Sequence, residues 1–549
     1  MEVTLNTLEA IAKILKLEGV EWIATFPSNP LIEAVAKEGI RLVMFRQERG
    51  AVMAADGFSR TNCRNKFGVV ITQGGPGAEN AMGGIAQAYA DNVPILLLPG
   101  GPSLGAWNVQ PNFAPSRAYG PIVKSAEAIL NPQHVGNVMR RAFHALRNGK
   151  AGPVVVETPD DVGSASVSDQ VVSNYSPPKR FITVPSVTDV RDAVKELLGA
   201  KRPVIWAGAG VLFGDATSEL KEFSELTGIP VYTTMQGKSS FPEDHPLSLG
   251  AGSSATTLPA FTWLKTSDVL FALGSSLSRT TYGQSIPAGK VIIQNTDNIQ
   301  DINKEESVDI ALAGDVKATL AMILDEVKTL IGKSGRKTDY AEEIETLRQS
   351  WMLEWNELLN SDVEPINTYR VVGEIERNLD KDKSIVTHDA GAPRDSILPF
   401  YKAIKPHGYI GWGKTTHLGF GIPLMIGAKI AYPDRFCLNL MGDGAFGMSG
   451  LDIETAVRAG TPITTVVLNN AGMATYPGQY EVSQELFGIK ELSGDYAQIA
   501  EGMGAVGITV TSPSAVGPAI KQAQQLNSDG KTVLIDVHSD LESRKSKFS

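Results

Sequence analysis

Cysteine is almost missing. Cys63 and Cys437 are the only two in 549 residues; they lie far apart, and neither sits in a CxxC or Cys/His spacing. This excludes a disulfide framework and a cysteine-based zinc site, and leaves two reduced packing thiols, as expected of a cytoplasmic protein. Long apolar runs are missing too: none approaches the roughly 18–20 residues a membrane span needs. The opening stretch MEVTLNTLEAIAKILKLEGVEWIATF mixes both charge signs and lacks the basic start and small-residue cleavage site of a secretory leader. A basic stripe is also lacking, and the net charge is −10, which argues against a nucleic-acid partner. There is no low-complexity tract and no internal sequence repeat.

What is present is a rhythm. Hydrophobic residues make up 42% and charged residues 20%, ordinary for a globular protein, and the length calls for three or four domains. Short apolar strands ending in glycine alternate with helical patterns in three blocks. The first, residues 1–165, holds FGVVITQGG, VPILLLPGG and GPVVVETPDD. The polar stretch VSDQVVSNYSPPKRFITVPS reads as a linker running across the outside. The second block, 185–333, holds KRPVIWAGAG, SDVLFALGSS and GKVIIQNTD. A charged helical segment, TDYAEEIETLRQSWMLEWNELLN, bridges to the third, 360–540, with DKSIVTHDAG, FCLNLMGDGAF, PITTVVLNN and KTVLIDVHS. Such alternation predicts an α/β protein of three doubly wound parallel-sheet domains, with ligands beyond the carboxyl ends of the strands. The charged tail DLESRKSKFS is expected to fray.

In LNLMGDGAFGMSG, Asp443 stands between Gly442 and Gly444 at the end of an apolar run. Alone, it would be read as a turn aspartate capping the next helix. But PITTVVLNN ends in Asn470, 27 residues further on, and the stretch between has helical spacing. A strand–helix–strand unit of that length returns the chain to the same sheet edge. The Asp443 carboxylate, the Asn470 amide oxygen and the backbone carbonyl of Gly472 would then form an oxygen-only set suited to Mg²⁺ carried by a diphosphate.

This spacing resembles the thiamine-diphosphate (ThDP) motif of the ThDP-dependent enzymes. The family also requires a glutamate from a domain near the chain start, which hydrogen-bonds the aminopyrimidine of ThDP. MFRQERGAVMAADGFSRTNCRNKFGVV supplies Glu48, which without the resemblance reads as an acid at a helix N-terminus. The resemblance runs along the whole chain as pyrimidine-binding, central and diphosphate-binding domains. It is the arrangement of the acetolactate synthase, pyruvate oxidase and benzoylformate decarboxylase group, and is most similar to the large subunit of acetolactate synthase. It implies diphosphate contacts from Gly391, Ala392 and Pro393, an aminopyrimidine contact from the backbone of Thr416, and a V-shape support from Leu418. It also implies cofactor contacts from Gly442, Asp443, Gly444, Ala445, Asn470, Gly472, Met473 and Ala474. In that group Glu48 of one subunit completes the cofactor site of another, so a homodimer is the minimum unit and a homotetramer is expected.

The substrate half departs from the family. GAWNVQPNFAPSRAYGP lacks the paired histidines of pyruvate decarboxylases, and Gln110, Pro111 and Asn112 replace the Phe–Gln–Glu of acetolactate synthases. Ser28 and Asn29, in FPSNPLIE, offer hydrogen bonds to a carboxylate or carbonyl, although a turn before a helix is the plainer reading. Met473 and Tyr476 are candidates for lining a substrate pocket, in a segment suited to closing over it. His388, His417 and Arg394 stand near the cofactor motifs, each with a structural alternative. WAGAGVLFG and GSSLSRTTYG give too little to assign FAD to the central domain. The expected function is Mg²⁺- and ThDP-dependent decarboxylation of a 2-oxo acid with transfer of the acyl carbanion to an acceptor. The alternatives are a lyase or decarboxylase acting on a 2-hydroxyacyl- or oxalyl-coenzyme A thioester, and an inactive ThDP-binding homologue.

Overall fold

The computed structural model describes residues 4–473 and 478–548. Three six-stranded sheets, each wholly parallel, carry the described chain, and a short antiparallel pair joins Thr4–Asn6 to Ser166–Ser168. The strands Gly68–Thr72, Pro203–Ala207, Val269–Leu273 and Ser384–His388 are buried along their whole length. Unbroken apolar runs of this kind form where helices cover both faces of a parallel sheet.

With the strands of each sheet numbered in chain order, the first and third sheets share the order 2-1-3-4-6-5, and the middle sheet runs 3-2-1-4-5-6. The repeated rhythm of the sequence is therefore a repeated topology in the first and third sheets, with no repeated residues to reveal it. In both of these sheets the order reverses between strands 1 and 3, the place where doubly wound sheets open a crevice. In the third sheet those strands are Ser384–His388 and Phe436–Gly442.

The chain forms two compact units. One comprises Met1–Phe181 together with Ile422–Pro433 and Leu451–Thr461; the other comprises Ile182–Gly421, Asp434–Gly450 and Pro462–Ser549. In the first unit the helix Glu48–Arg60 is buried on nearly every side. Its small residues let backbones touch: a Cβ on Gly57 would lie 2.1 Å from Leu424 O, and one on Gly427 would lie 1.9 Å from Ala54 O. At its far end Arg60 pairs with buried Asp56 and, at 2.9 Å, with Asp91.

In the second unit the charged segment after the middle sheet forms the helix Tyr340–Leu359, which buries Trp351 and Trp355. Trp351 stacks on Phe400 at 4.8 Å. The tail does not fray as its charge suggested. Ser546 is buried, donates to Thr256 O at 2.6 Å and accepts from Trp351 Nε1 at 2.9 Å. Phe548 stacks on Phe261 at 5.3 Å, and Lys545 pairs with Asp395 at 2.8 Å. Two aromatic partners and a buried acid outweigh the solvation of a few charges.

Candidate functional site

In the second unit, Phe436–Gly442 pairs in parallel with Thr464–Asn469, with Gly442 opposite Leu468. Asp443 opens the helix after the first of these strands, and Asn470 directly follows the second. Asp443 is buried; its Oδ1 accepts the Gly444 N–H at 2.8 Å, while Oδ2 has no hydrogen-bond partner among the described residues. Burial raises its pKa, against the pull of N–H groups on Gly444, Ala471, Gly472 and Asn470 that face the carboxyl. Asn470, Ala471 and Gly472 form a tight turn in which Ala471 has φ +54° and Asn470 Oδ1 accepts the Gly472 N–H at 3.1 Å. Backbone bonds from Met473 N to Lys490 O and from Leu492 N to Ala471 O, each 2.9 Å, hold the turn in place. A side chain on Gly444 would press on Met473 Sδ, whereas the Cβ position at Gly442 faces open space.

An orphaned, buried carboxylate oxygen is costly unless a cation partners it. The turn that faces this carboxyl also carries the Asn470 amide oxygen and the Gly472 carbonyl, so the donors it could offer a cation are all oxygen. No group of three or more His, Cys, Asp or Glu able to hold a metal occurs among the described residues. A set this poor in charge suits Mg²⁺ whose remaining ligands are phosphate and water. The residues therefore fit a metal-bound diphosphate.

The adjoining strand, Ser384–His388, leads into Asp389, a residue the sequence motifs had not singled out. Asp389 is fully buried, and its N–H bonds Leu440 O at 2.7 Å, three residues before Asp443. Its carboxylate accepts N–H bonds from Ala390 at 2.8 Å, Gly419 at 3.0 Å and Gly421 at 2.9 Å. Burial nevertheless pushes its pKa up to about 6. One side chain thus ties the turn Gly391–Ala392–Pro393 to the loop carrying Thr416 and Leu418. Gly391 takes φ +89°, a left-handed conformation that glycine adopts without strain, and opens the helix Ala392–Phe400. The first-turn N–H groups of such a helix attract phosphate. Thr416 is left-handed too, at φ +51°, and Leu418 is half-buried. His388 is structural: Nδ1 meets Tyr409 OH at 2.7 Å, Nε2 meets Trp412 O at 3.2 Å, and the ring stacks on Trp412. His417 Nδ1 lies 3.3 Å from Leu418 O. Arg394 is buried beside Asp395, which it meets at 2.8 Å, with Tyr282 against its guanidinium at 4.5 Å.

In the first unit, Glu48 begins the helix Glu48–Arg60 and is 5% exposed. Its Oε2 accepts a 3.1 Å bond from Asn80 Nδ2, which comes from the helix Pro76–Ala90. Tyr119 donates to Ala78 O in that same first turn, and burial together with the Glu48 charge drives the Tyr119 pKa up. Glu48 is thus a buried acid held by a neutral donor, with no cation bonded to it among the described residues.

Family models match each of the three blocks of the chain. The N-terminal TPP (thiamine pyrophosphate) binding domain of thiamine pyrophosphate enzymes matches residues 5–116, the central domain 190–323 and the C-terminal TPP binding domain 389–537. A probable acetolactate synthase large subunit of Methanocaldococcus jannaschii is 31% identical over 94% of this chain and 89% of its own length. That of Methanococcus aeolicus is 30% identical over 94% and 90%. The chain belongs to the thiamine pyrophosphate enzyme family. An acetolactate synthase large subunit of Corynebacterium glutamicum, 30% identical over 90% of this chain and 80% of its own, points to the same branch. This family member is an acetolactate synthase-like, ThDP-dependent enzyme.

The structure treats the substrate candidates of this ThDP enzyme unevenly. Ser28 is exposed, with φ +97°. The Asn29 side chain is spent on backbone: Nδ2 donates to Thr72 O at 2.8 Å and Oδ1 accepts from Leu31 N at 2.9 Å. Gln110 is exposed on a loop pinned from both ends by buried Glu157, which accepts from Trp107 Nε1 at 2.8 Å and Ser116 N at 2.9 Å. Met473 is half-buried; Ala474 and Tyr476 lie outside the described residues. Asp389 and Glu157 had no motif of their own. The one signal for Asp389 was an acid following an apolar strand, two residues before a Gly-Ala-Pro.

Proposed function

We propose that the chain is a Mg²⁺- and ThDP-dependent carboligase that decarboxylates a 2-oxo acid and transfers the acyl unit to an acceptor carbonyl. The observation that carries this reading is the orphaned Asp443 oxygen, which faces the Asn470–Gly472 turn and follows Phe436–Gly442, one of the two strands between which the third sheet reverses its order. Asp443, Asn470 and the Gly472 carbonyl would hold the metal, and Gly391, Ala392 and Pro393 the diphosphate. Gly442, Gly444, Ala445 and Met473 would contribute further cofactor contacts, with the Thr416 backbone contacting the aminopyrimidine and Leu418 supporting the cofactor. When bound, ThDP supplies a carbon nucleophile and an electron sink.

The chain's own residues orient and exclude. Glu48 would hold a proton at its carboxyl and exchange it with the aminopyrimidine, and Asn80 fixes the rotamer in which it does so. Burial of Glu48 keeps water from competing for that proton. The relatives named for acetolactate synthesis support pyruvate as the first donor to test. The expected assembly is a homodimer or homotetramer in the cytoplasm, with Glu48 lent to the partner's cofactor.

The test is NMR of an acid-quenched mixture of protein, ThDP, Mg²⁺ and pyruvate. Consumption of pyruvate with formation of CO₂ and 2-acetolactate is expected. Untouched pyruvate, with ThDP bound by calorimetry, would overturn pyruvate as donor.

A further inference from the structure

Within the first unit, a short helix from the far end of the chain acts as a splint on the corner that presents Glu48. The helix is Asp452–Arg458, and the corner joins the strand Arg41–Met44 to the helix Glu48–Arg60. Three of its side chains reach the corner. Arg458 Nη2 donates to Met44 O at 2.6 Å, Glu454 lies 3.6 Å from Arg46 Nη1, and Asp452 Oδ1 accepts the Arg46 N–H at 3.0 Å. The first two contacts are at the surface, where solvent weakens them. Asp452 is 1% exposed.

Asp452 is placed with unusual closeness. Its Oδ1 also accepts from Thr455 Oγ1 at 2.9 Å. Its Oδ2 faces Gly50, the third residue of the Glu48 helix, where an added Cβ would lie 2.3 Å from that oxygen. Glycine at 50 is what admits the carboxylate. Oδ2 has no hydrogen-bond partner among the described residues, and burial pushes the Asp452 pKa up to about 6. An unpartnered buried carboxylate oxygen lowers stability, so packing alone would be better served by an apolar residue.

We propose that Asp452 is a positioning residue for Glu48: clasped between the Arg46 N–H and Gly50, it fixes the first turn of the helix from which the Glu48 carboxyl projects. The inference rests on the reading of Glu48 as the acid that meets the aminopyrimidine. A misplacement of about 1 Å at a proton-transfer group costs up to about 100-fold in rate, so a rigid corner is worth a local loss of stability. Asp452 also follows Asp443 by nine residues. The run of chain that begins at the candidate metal ligand ends by locating the candidate acid.

The experiment compares Asp452→Asn, Glu48→Gln and the double variant in the full-length protein. Three quantities are read: ThDP affinity in the presence of Mg²⁺, exchange of the thiazolium C2 hydrogen of bound ThDP into D₂O, and amide exchange of the segment 44–50 in the cofactor-free protein. Asp452→Asn should loosen the 44–50 amides and slow C2 exchange about 10- to 100-fold, with ThDP affinity unchanged. On the Glu48→Gln background it should slow C2 exchange no further, because the two residues act as one unit. A wild-type C2 exchange rate in Asp452→Asn, or an additive loss in the double variant, overturns the proposal. Wild-type exchange in Glu48→Gln alone overturns the reading of Glu48 instead. Should Asp452→Asn not fold, Gly50→Ala pushes a methyl into the same contact with the carboxylate intact, and the same pattern is expected of it.

Discussion

Asn80 Nδ2 donates a 3.1 Å hydrogen bond to Glu48 Oε2, so the buried acid is steered by a neutral amide. Glu48→Gln should bind ThDP normally and lose at least ~100-fold in kcat, the scale of a positioned proton-transfer group. Asn80→Ala should lose about 10-fold, the order of one hydrogen bond to a charged group. Steady-state kinetics with parallel calorimetry of ThDP binding checks both. An Asn80→Ala enzyme with wild-type kcat would remove Asn80 from the steering role.

On the proposed reading, Asp443 sets function against stability. Its unpartnered Oδ2 costs free energy in the cofactor-free protein and would gain a partner when a cation binds. Asp443→Asn should leave the melting temperature of the cofactor-free protein unchanged or raise it, by the equivalent of about 1 kcal/mol. The upward shift that Mg²⁺ and ThDP give the wild type should disappear. A differential scanning series with and without cofactor reads both. A full cofactor shift in the variant would take Asp443 out of the metal site.

Asp56, Asp389 and Asp452 each have a pKa raised to about 6 by burial. Between pH 4 and 6 the folded protein retains protons on these groups that the unfolded chain has released. Their joint contribution therefore lowers stability as pH rises through that window. Asp389→Asn removes one of the three. Wild-type stability minus variant stability, from urea unfolding, should fall by on the order of 2 kcal/mol between pH 4 and 6.5. A flat difference would mean that Asp389 titrates alike in both states.

The docked tail predicts a stability effect. Removing residues 542–549 deletes the Lys545–Asp395 pair, the Ser546 bridge between Trp351 and Thr256, and the Phe548–Phe261 stack. A loss of about 2–4 kcal/mol is expected, read as a lower urea midpoint. An unchanged midpoint would show that the tail adds nothing to folding.

The fold and the ThDP-enzyme family were legible because both are written locally. Fully buried parallel strands need unbroken apolar runs, and their carboxyl ends need glycines, so Gly442, Gly444 and Gly391 mark where the chain turns. The separation of Asp443 from Asn470 is set by the length of one strand–helix–strand return. Asp389 and Asp452 were not legible. Each looks like an acid at the edge of a strand or helix, and its meaning comes from partners 30 or more residues away: Gly419 and Gly421 for one, Arg46 and Gly50 for the other. The tail misled for the same reason. Its charges are local, whereas the aromatic residues it meets, Trp351 and Phe261, lie far back in the chain.

Backbone-level contact between the helix Glu48–Arg60 and the segment around Leu424 and Gly427 has a bearing on recombination. A chimaera that takes residues 1–181 from a relative and keeps the remainder would join two surfaces matched to within a methyl group. One added carbon at position 57 or 427 would drive them apart. The inheritable module is therefore discontinuous: the first block travels together with 422–433 and 451–461, and crossovers that respect those seams are the ones expected to yield folded enzymes.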